Sequence, residues 1–139
     1  MAFSYFTELK VWQKSMNLSV EIYDAVKLLP KEELYGLSDQ MRRAVISIPS
    51  NIAEGNQRAS IREYIRFLYI AKGSLAELIT QIILCQRMGY LKKDKKEQLV
   101  EQCYEIGRML SGLINKLNNQ ANQISAKNQA GRETGFGIN

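Results

Sequence analysis

The sequence contains no histidine, and this absence removes the usual base of serine and cysteine nucleophiles. It also removes the paired Glu-x-x-His motifs of di-metal enzymes built on helical bundles. Residues 55–58, Gly-Asn-Gln-Arg, lack the Gly-Lys-Ser/Thr ending of a phosphate-binding loop. Three carboxylates, Glu54, Glu63 and Glu77, could form an acid–base pair, but each has a simpler role as a helix cap or an arginine partner. We therefore expect a protein that is not an enzyme, with no catalytic residues and no cofactor.

Cysteine is almost as scarce, with only Cys85 and Cys103 in the chain. Each lies among apolar residues of a predicted helix, which favours two reduced, buried thiols over a disulfide. Without histidine or a closely spaced cysteine pair, the sequence offers no structural zinc site. We expect no metal.

No apolar run approaches the roughly 20 residues that a membrane-spanning helix requires. Residues 1–8 lack the basic start and the apolar block of a signal peptide. We therefore expect a cytoplasmic protein with no membrane partner. At 139 residues the chain fits a single domain that can bury a real core.

Acidic side chains are outnumbered by basic ones, 14 to 19, which gives a net charge of +5. Residues 1–59 carry seven of each sign, so the whole excess comes from residues 60–139, which carry twelve basic and seven acidic side chains. A modest positive balance permits nucleic-acid binding but does not require it.

The most informative stretch covers residues 37–55, which is predicted to be a helix with two stripes. The apolar stripe, at spacings of three and four, is typical of a helix that faces a core; it consists of Leu37, Met41, Val45, Ile48 and Ile52. The polar stripe beside it consists of Gln40, Arg43, Ser47, Asn51 and Glu54. Because a buried unpaired polar group costs about 1–3 kcal/mol, this polar stripe needs partners on another helix.

Residues 7–29, 60–88 and 94–117 show the spacing of three more core-facing helices, and the second of these opens with a capping box at Ser60 and Glu63. The predicted core positions are, in the first helix, Leu9, Trp12, Met16, Val20, Tyr23 and Val26; in the third, Tyr64, Phe67, Leu68, Ala71, Leu75, Leu78 and Ile82; and in the fourth, Leu99, Cys103, Ile106, Leu110, Leu113, Ile114 and Leu117.

Four long amphipathic helices with short links predict an all-α fold, an up-down-up-down antiparallel four-helix bundle over residues 1–118. Gly73 in the middle of the third helix costs roughly 1 kcal/mol relative to alanine, so we expect a close helix crossing there. Residues 119–139 are rich in Asn, Gln, Gly and Ala, which predicts a disordered, flexible C-terminal tail.

Antiparallel packing of the second and third helices about their connecting turn would set Arg43 beside Ser74 and within a helical turn of Glu77. It would also place Glu54 near Arg62. We therefore predict a structural polar network that holds the two helices in register, formed by Gln40, Arg43, Ser47, Asn51, Glu54, Ser74 and Glu77. The alternative is a polar groove that binds a ligand.

Two clusters of basic side chains are candidate nucleic-acid contacts, since such side chains bind phosphates without reading base sequence. The first cluster, at the start of the third helix, consists of Arg58, Arg62 and Arg66. The second, at the opposite end of the bundle, consists of Arg87, Lys92, Lys93, Lys95 and Lys96. The alternative is ordinary solvated surface. Few aromatic side chains lie outside the core stripes, which argues against base-specific recognition of single strands.

Several short motifs occur in the order found in a known family. They are residues 9–13 (Leu-Lys-Val-Trp-Gln), 35–37 (Tyr-Gly-Leu), 40–44 (Gln-Met-Arg-Arg-Ala), 47–55 (Ser-Ile-Pro-Ser-Asn-Ile-Ala-Glu-Gly) and 67–78 (Phe-Leu-Tyr-Ile-Ala-Lys-Gly-Ser-Leu-Ala-Glu-Leu). Together they resemble the bacterial four-helix-bundle proteins encoded in intervening sequences of 23S ribosomal RNA genes.

The resemblance covers about residues 5–117 and implies a small bundle that assembles into a homopentameric barrel. The family is similar to the accessory protein of diversity-generating retroelements, a basic barrel that binds nucleic acid and a reverse transcriptase. It has no catalytic residues to carry over to this chain. Its signature positions match here at Gln40, Arg43, Asn51, Glu54 and Glu77.

Three hypotheses about function follow. The first is a non-enzymatic oligomeric module that binds RNA or DNA through backbone contacts. The second is a protein–protein scaffold or adaptor with no nucleic-acid partner. The third is a protein that binds a small molecule in the polar stripe, which would need a pocket that the network does not fill.

Overall fold

The structure is a computed structural model that describes residues 5–136. All regular structure within these residues is helical, which confirms the predicted all-α fold. The elements, in chain order, are α1 (Tyr5–Glu8), α2 (Lys10–Val26), a 3-10 turn (Lys31–Glu33), α3 (Leu37–Asn56), α4 (Ile61–Arg87) and α5 (Lys93–Phe136).

The four long helices pack as a bundle, with α2 and α4 each in contact with both α3 and α5. Two contacts give the relative direction of α3 and α4. Met41 Sδ lies 3.4 Å from Cys85 Sγ, and Ser47 Oγ lies 2.8 Å from Ser74 Oγ. Residue numbers rise along α3 as they fall along α4, so these two helices are antiparallel.

The predicted core positions of α3, α4 and α5 are confirmed. All five positions on α3 are at most 8% exposed. On α4 and α5 every predicted position is buried except Tyr64 and Leu113, which are half-buried and pack against the core. Each of these helices has one broad apolar stripe, so its period decides which side faces inward.

The predicted core stripe of the first long helix, α2, is wrong at its three middle positions. Met16, Val20 and Tyr23 are 42%, 65% and 39% exposed. Leu9 and Trp12 are half-buried at the edge of the core, and of the predicted positions Val26 alone is buried.

The side of α2 that does face the core consists of Val11, Ser15, Leu18, Ile22, Ala25 and Val26. Two apolar stripes lie side by side on this helix, and periodicity alone does not choose between them. The Ser15 hydroxyl tolerates full burial because it donates a hydrogen bond to the Trp12 carbonyl at 2.8 Å. The fully buried Leu18 and Ile22 then supply the aliphatic packing.

The structure differs from the predicted disordered tail, because α5 continues as one helix to Phe136. No proline interrupts the sequence after residue 30 other than Pro49, so a helix anchored in the bundle can propagate at one hydrogen bond per residue. Side chains from 118 to 132 are exposed except for the half-buried Ala121. Residues 137–139 of the predicted tail lie outside the described residues.

Both cysteines are free and buried, as predicted. Burial raises the pKa of Cys103 to about 12. Burial, followed by the negative charge of Glu33, raises the pKa of Cys85 to about 11. Both thiols therefore stay protonated at neutral pH and act as small apolar groups of the core.

The expected close crossing at Gly73 is wrong, because a Cβ built there would have no atom of a neighbouring helix within 4 Å. The close approach lies at Gly55 instead. A Cβ at Gly55 would lie 2.7 Å from Phe67 Cβ and 3.2 Å from the Tyr64 carbonyl oxygen. The backbone of α3 can approach α4 this closely only without a side chain at that position.

We expect alanine substitutions at these two glycines to have opposite effects on stability. Gly55→Ala should destabilise the fold by about 1–3 kcal/mol, because the new methyl group overlaps Phe67 and forces the helices apart. Gly73→Ala, the matched control, should stabilise it by up to about 1 kcal/mol through helix propensity. Urea unfolding followed by far-UV circular dichroism measures both. Equal effects would contradict the assigned crossing point.

Candidate nucleic-acid interface

The predicted polar network forms in part, between α3 and α4. The Ser47 and Ser74 hydroxyls are hydrogen-bonded at 2.8 Å. The Asn51 side-chain amide donates to the Ser47 carbonyl at 2.7 Å and to the Ser47 hydroxyl at 2.9 Å. All three residues are half-buried, so these bonds satisfy polar groups at the edge of the core.

The charged members of the predicted network lie apart from this centre. Arg43 pairs with Asp39 at 3.0 Å on the same helix, and its side chain is 81% exposed. Among the described residues, no ion pair joins Arg43 to Glu77, which is exposed and accepts a hydrogen bond from Gln81 at 3.3 Å. The predicted register was off by one helical turn, because Ser74, expected beside Arg43, lies opposite Ser47.

The remaining two members, Gln40 and Glu54, are also exposed. Glu54 pairs with Arg58 at 2.7 Å rather than with the predicted Arg62. The four-residue spacing of Glu54 and Arg58 is readable from the sequence as a helical ion pair, so this pairing could have been predicted.

Gln81 is a buried polar residue that sequence reasoning did not place in the network. It is 6% exposed, and its Oε1 has no hydrogen-bond partner within the described part of the chain. Gln81 lies three residues after Leu78 and four before Cys85, so helical spacing could have placed it on the buried side of α4.

The arginine cluster, defined as Arg58, Arg62 and Arg66, gathers at the turn between α3 and α4. Arg58 lies in the turn itself rather than on α4, yet its guanidinium carbon is 4.7 Å from the centre of the Phe67 ring. The guanidinium carbon of Arg66 is 4.8 Å from the same ring centre. Two of the three arginines predicted to contact nucleic acid, Arg58 and Arg66, therefore lie against the same aromatic side chain.

Local contacts hold this arrangement in place. Ser60 caps α4, with its hydroxyl accepting from the Glu63 backbone N–H at 3.1 Å. The Glu63 carboxylate does not reach back, as a full capping box would, but pairs with Arg66 at 3.1 Å. Phe67 is 6% exposed and sits against Gly55. Sequence reasoning placed Phe67 in the core and missed its contact with the arginines.

The lysine cluster, which we define to include the arginine that ends α4, lies at the opposite end of α4 and at the start of α5; its members are Arg87, Lys92, Lys93, Lys95 and Lys96. Within the described residues none of them forms an ion pair, and the Lys95 ammonium donates only to Gln98 at 3.4 Å. Asp94 and Glu97 lie within the same stretch of sequence and reduce its net charge.

Each of the three carboxylates considered for acid–base chemistry contacts another side chain. Glu54 and Glu63 are ion-paired with arginines, and Glu77 accepts from Gln81. Over residues 5–136 no group of three or more His, Cys, Asp or Glu side chains is placed to hold a metal ion.

Apolar side chains form an exposed surface between α2 and α3, which we call the α2–α3 surface. It contains Met16, Val20 and Tyr23 of α2 together with Ile46 of α3, which is 43% exposed. Two of these side chains, Met16 and Ile46, line a groove of about 340 Å³ together with Trp12. Contiguous exposed apolar side chains of this kind mark interaction surfaces.

A second groove, of about 630 Å³, lies between α4 and α5. Leu75, Ile79, Tyr104 and Gly107 contribute to its lining, and none of its lining residues belongs to the polar network. The network therefore does not form the wall of this groove, and the hypothesis of a small molecule bound in the polar stripe gains no support from it.

By length and composition one described helix, α4, is apolar enough to cross a membrane, with a mean hydropathy of 1.4 over an 18-residue window. The core helix of a bundle meets the same criterion, and 39% of that window is buried here. This is weak evidence for a membrane span.

The chain is similar to known proteins in sequence and in fold. The sequence matches the family model described as 23S rRNA-intervening sequence protein over residues 7–112. The chain is similar to the crystal structure of a protein with unknown function from the S23 ribosomal protein family of Bacteroides thetaiotaomicron. The two are 28% identical with a TM-score of 0.70, over 75% of this chain and 97% of that one. The curated proteins included no match.

A double-mutant cycle tests the serine pair that links α3 to α4. We expect Ser47→Ala and Ser74→Ala to be coupled by about 0.5–1.5 kcal/mol in the free energy of unfolding, because each removes the partner of the other. The control pair, Gln40→Ala and Glu77→Ala, should be additive within about 0.5 kcal/mol. Additive serine substitutions in urea denaturation would show that the hydrogen bond does not stabilise the fold.

Proposed function

The chain belongs to the 23S rRNA-intervening sequence protein family, and on this basis we propose that it is a non-enzymatic, cytoplasmic helical bundle that assembles with copies of itself and binds RNA or DNA. The contacts are to the phosphate backbone, made by basic side chains at the ends of the bundle. The observation that carries this proposal is the arginine cluster at the α3–α4 turn.

Two features of that cluster suit phosphate binding. Arginine presents five N–H donors in a planar fork that matches phosphate oxygens. Arg62 is exposed and has no ion-pair partner among the described residues, so its full charge is available. The lysine cluster adds positive charge at the other end of the bundle, which raises the local concentration of a polyanion.

The absence of an enzymatic role is inferred from the side chains that are available. The chain has no histidine, and both thiols have raised pKa values that keep them protonated and unreactive. Glu54 and Glu63 are held by arginines. Glu77, the third carboxylate considered, accepts a hydrogen bond from Gln81.

Self-assembly is supported by the α2–α3 surface. Val20 is 65% exposed and Met16 is 42% exposed in the single chain, although water-facing apolar stripes cost free energy in proportion to their area. A second copy of the chain would cover them. The family resemblance implies five copies, and a ring of copies would present several arginine clusters to one nucleic-acid strand, which strengthens binding through multivalency.

The same exposed surface supports the alternative function, a scaffold whose partner is another protein. A pull-down from lysate treated with nuclease separates the two. A partner that survives digestion favours the scaffold, whereas a partner that is lost on digestion favours nucleic-acid binding.

We expect binding to RNA or DNA to fall steeply with salt, with log K dropping by about 0.7–0.9 per phosphate contact for each tenfold rise in salt. Arg62→Glu should lower affinity for all sequences alike and reduce the salt slope by about 1. The matched control is Lys127→Glu, which makes the same charge change on the exposed end of α5. Fluorescence anisotropy across a salt series measures both. No binding at low salt would end this proposal.

We expect Val20→Glu to dissociate the assembly, because it places a charge among the exposed apolar side chains of α2, one helical turn from Met16, where a neighbouring copy would have to bury it. Asn17→Glu, on an exposed position of the same helix, is the control and should leave the assembly intact. Light scattering after size-exclusion chromatography measures the mass of each. A wild-type monomer at all concentrations would contradict self-assembly.

A further inference from the structure

Phe67 is in contact with two guanidinium groups from different parts of the chain. Arg58 lies before α4 and Arg66 lies one residue before Phe67 on that helix, and their guanidinium carbons are 4.7 and 4.8 Å from the ring centre. Energetically significant cation–π contacts occur about once per 70–80 residues, so two guanidinium groups on one ring are an unusual arrangement.

Each guanidinium is also held by a carboxylate through one of its nitrogens. Arg58 uses Nη2 to bind Glu54 at 2.7 Å, and Arg66 uses Nε to bind Glu63 at 3.1 Å. An arginine has five N–H donors, so most donors of both groups remain available. The two carboxylates cancel the net charge of the two arginines. Arg58 and Arg66 would therefore contribute to phosphate binding through correctly placed N–H donors rather than through net charge.

The ring itself is immobilised by packing. Phe67 is 6% exposed, and its Cβ lies so close to Gly55 that a methyl group there would be 2.7 Å away. The arginines are therefore supported by a core side chain, unlike the lysine cluster, where no ion pair among the described residues restrains the side chains. A group that is already placed loses less conformational entropy when it binds.

We propose that Arg58 and Arg66, placed by Phe67, form a built phosphate-binding site for the sugar–phosphate backbone of RNA or DNA. This site rests on the proposed function and deepens it, because it names where the phosphodiester group binds. Arg58 and Arg66 donate to the phosphate oxygens, and Arg62 supplies the uncompensated charge. Phe67 is a positioning residue. The lysine cluster contributes long-range attraction without a defined site.

If this site binds phosphate, changing the shape of its side chains should lower the affinity for RNA or DNA even when the net charge is unchanged. The double variant Arg58→Lys/Arg66→Lys keeps the charge but loses the planar fork and its stacking on the ring. It should bind a fluorescein-labelled RNA hairpin, or a DNA duplex of matched length, about tenfold more weakly. Two charge-preserving controls at exposed positions near the end of α5, Lys127→Arg and Arg132→Lys, should stay within about twofold of the wild type.

The positioning role has its own test, in the same anisotropy assay. Phe67→Leu removes the aromatic face without changing charge and should weaken binding by about threefold or more, while Phe67→Tyr keeps the face and should retain affinity. Circular dichroism checks that each variant is folded. If Phe67→Leu does not fold, the lysine double variant alone decides the question.

The outcomes separate the two proposals. A wild-type protein that binds neither probe overturns the proposed function and this site together. If the wild-type protein binds and the Arg58→Lys/Arg66→Lys variant binds with equal affinity, this site alone is overturned, and binding is assigned to diffuse positive charge.

Discussion

The close approach of α3 and α4 at Gly55 sets the geometry of the turn and of the side chains around it. A Cβ there would lie 2.7 Å from Phe67 Cβ, so the two backbones meet where side chains would otherwise hold them apart. This contact seats Phe67 in the core and brings Arg58, from the turn, onto the same ring as Arg66. The hydrogen bond between Ser47 and Ser74 follows further along the same pair of helices.

The bundle divides its surface between two kinds of interaction. Its ends carry the basic clusters, which suit a polyanion, and its α2–α3 side carries apolar groups, which suit another protein surface. The apolar surface includes Val20 and Met16 of α2, which were predicted to lie in the core and are instead exposed. These side chains are the main contribution to the proposed assembly. Covering this side with further copies would leave both ends of every copy accessible.

Part of the candidate site could be predicted from sequence. The polar stripe on α3 correctly predicted a hydrogen bond between α3 and α4, which Ser47 makes with Ser74. Asn51 supports it from the same helix by donating to Ser47. The long charged side chains do not form the predicted pairs between α3 and α4. Arg43 and Glu54 instead pair with residues on or next to their own helix, because these partners are reached at lower entropic cost. The Phe67 contacts depend on a turn conformation that residue spacing does not encode.

Local patterns in the amino-acid sequence were enough to establish the helical class, the core-facing sides of α3, α4 and α5, and the two buried thiols, because each pattern has one favourable solution. The absence of histidine likewise limits the chemistry open to this chain, whatever its fold. Three features instead depend on how the helices pack: which of two apolar stripes on α2 faces inward, the register of α3 on α4, and the meeting of two arginines on one ring. Each results from competition between side chains that are distant in sequence, and a local period carries no information about which of them wins.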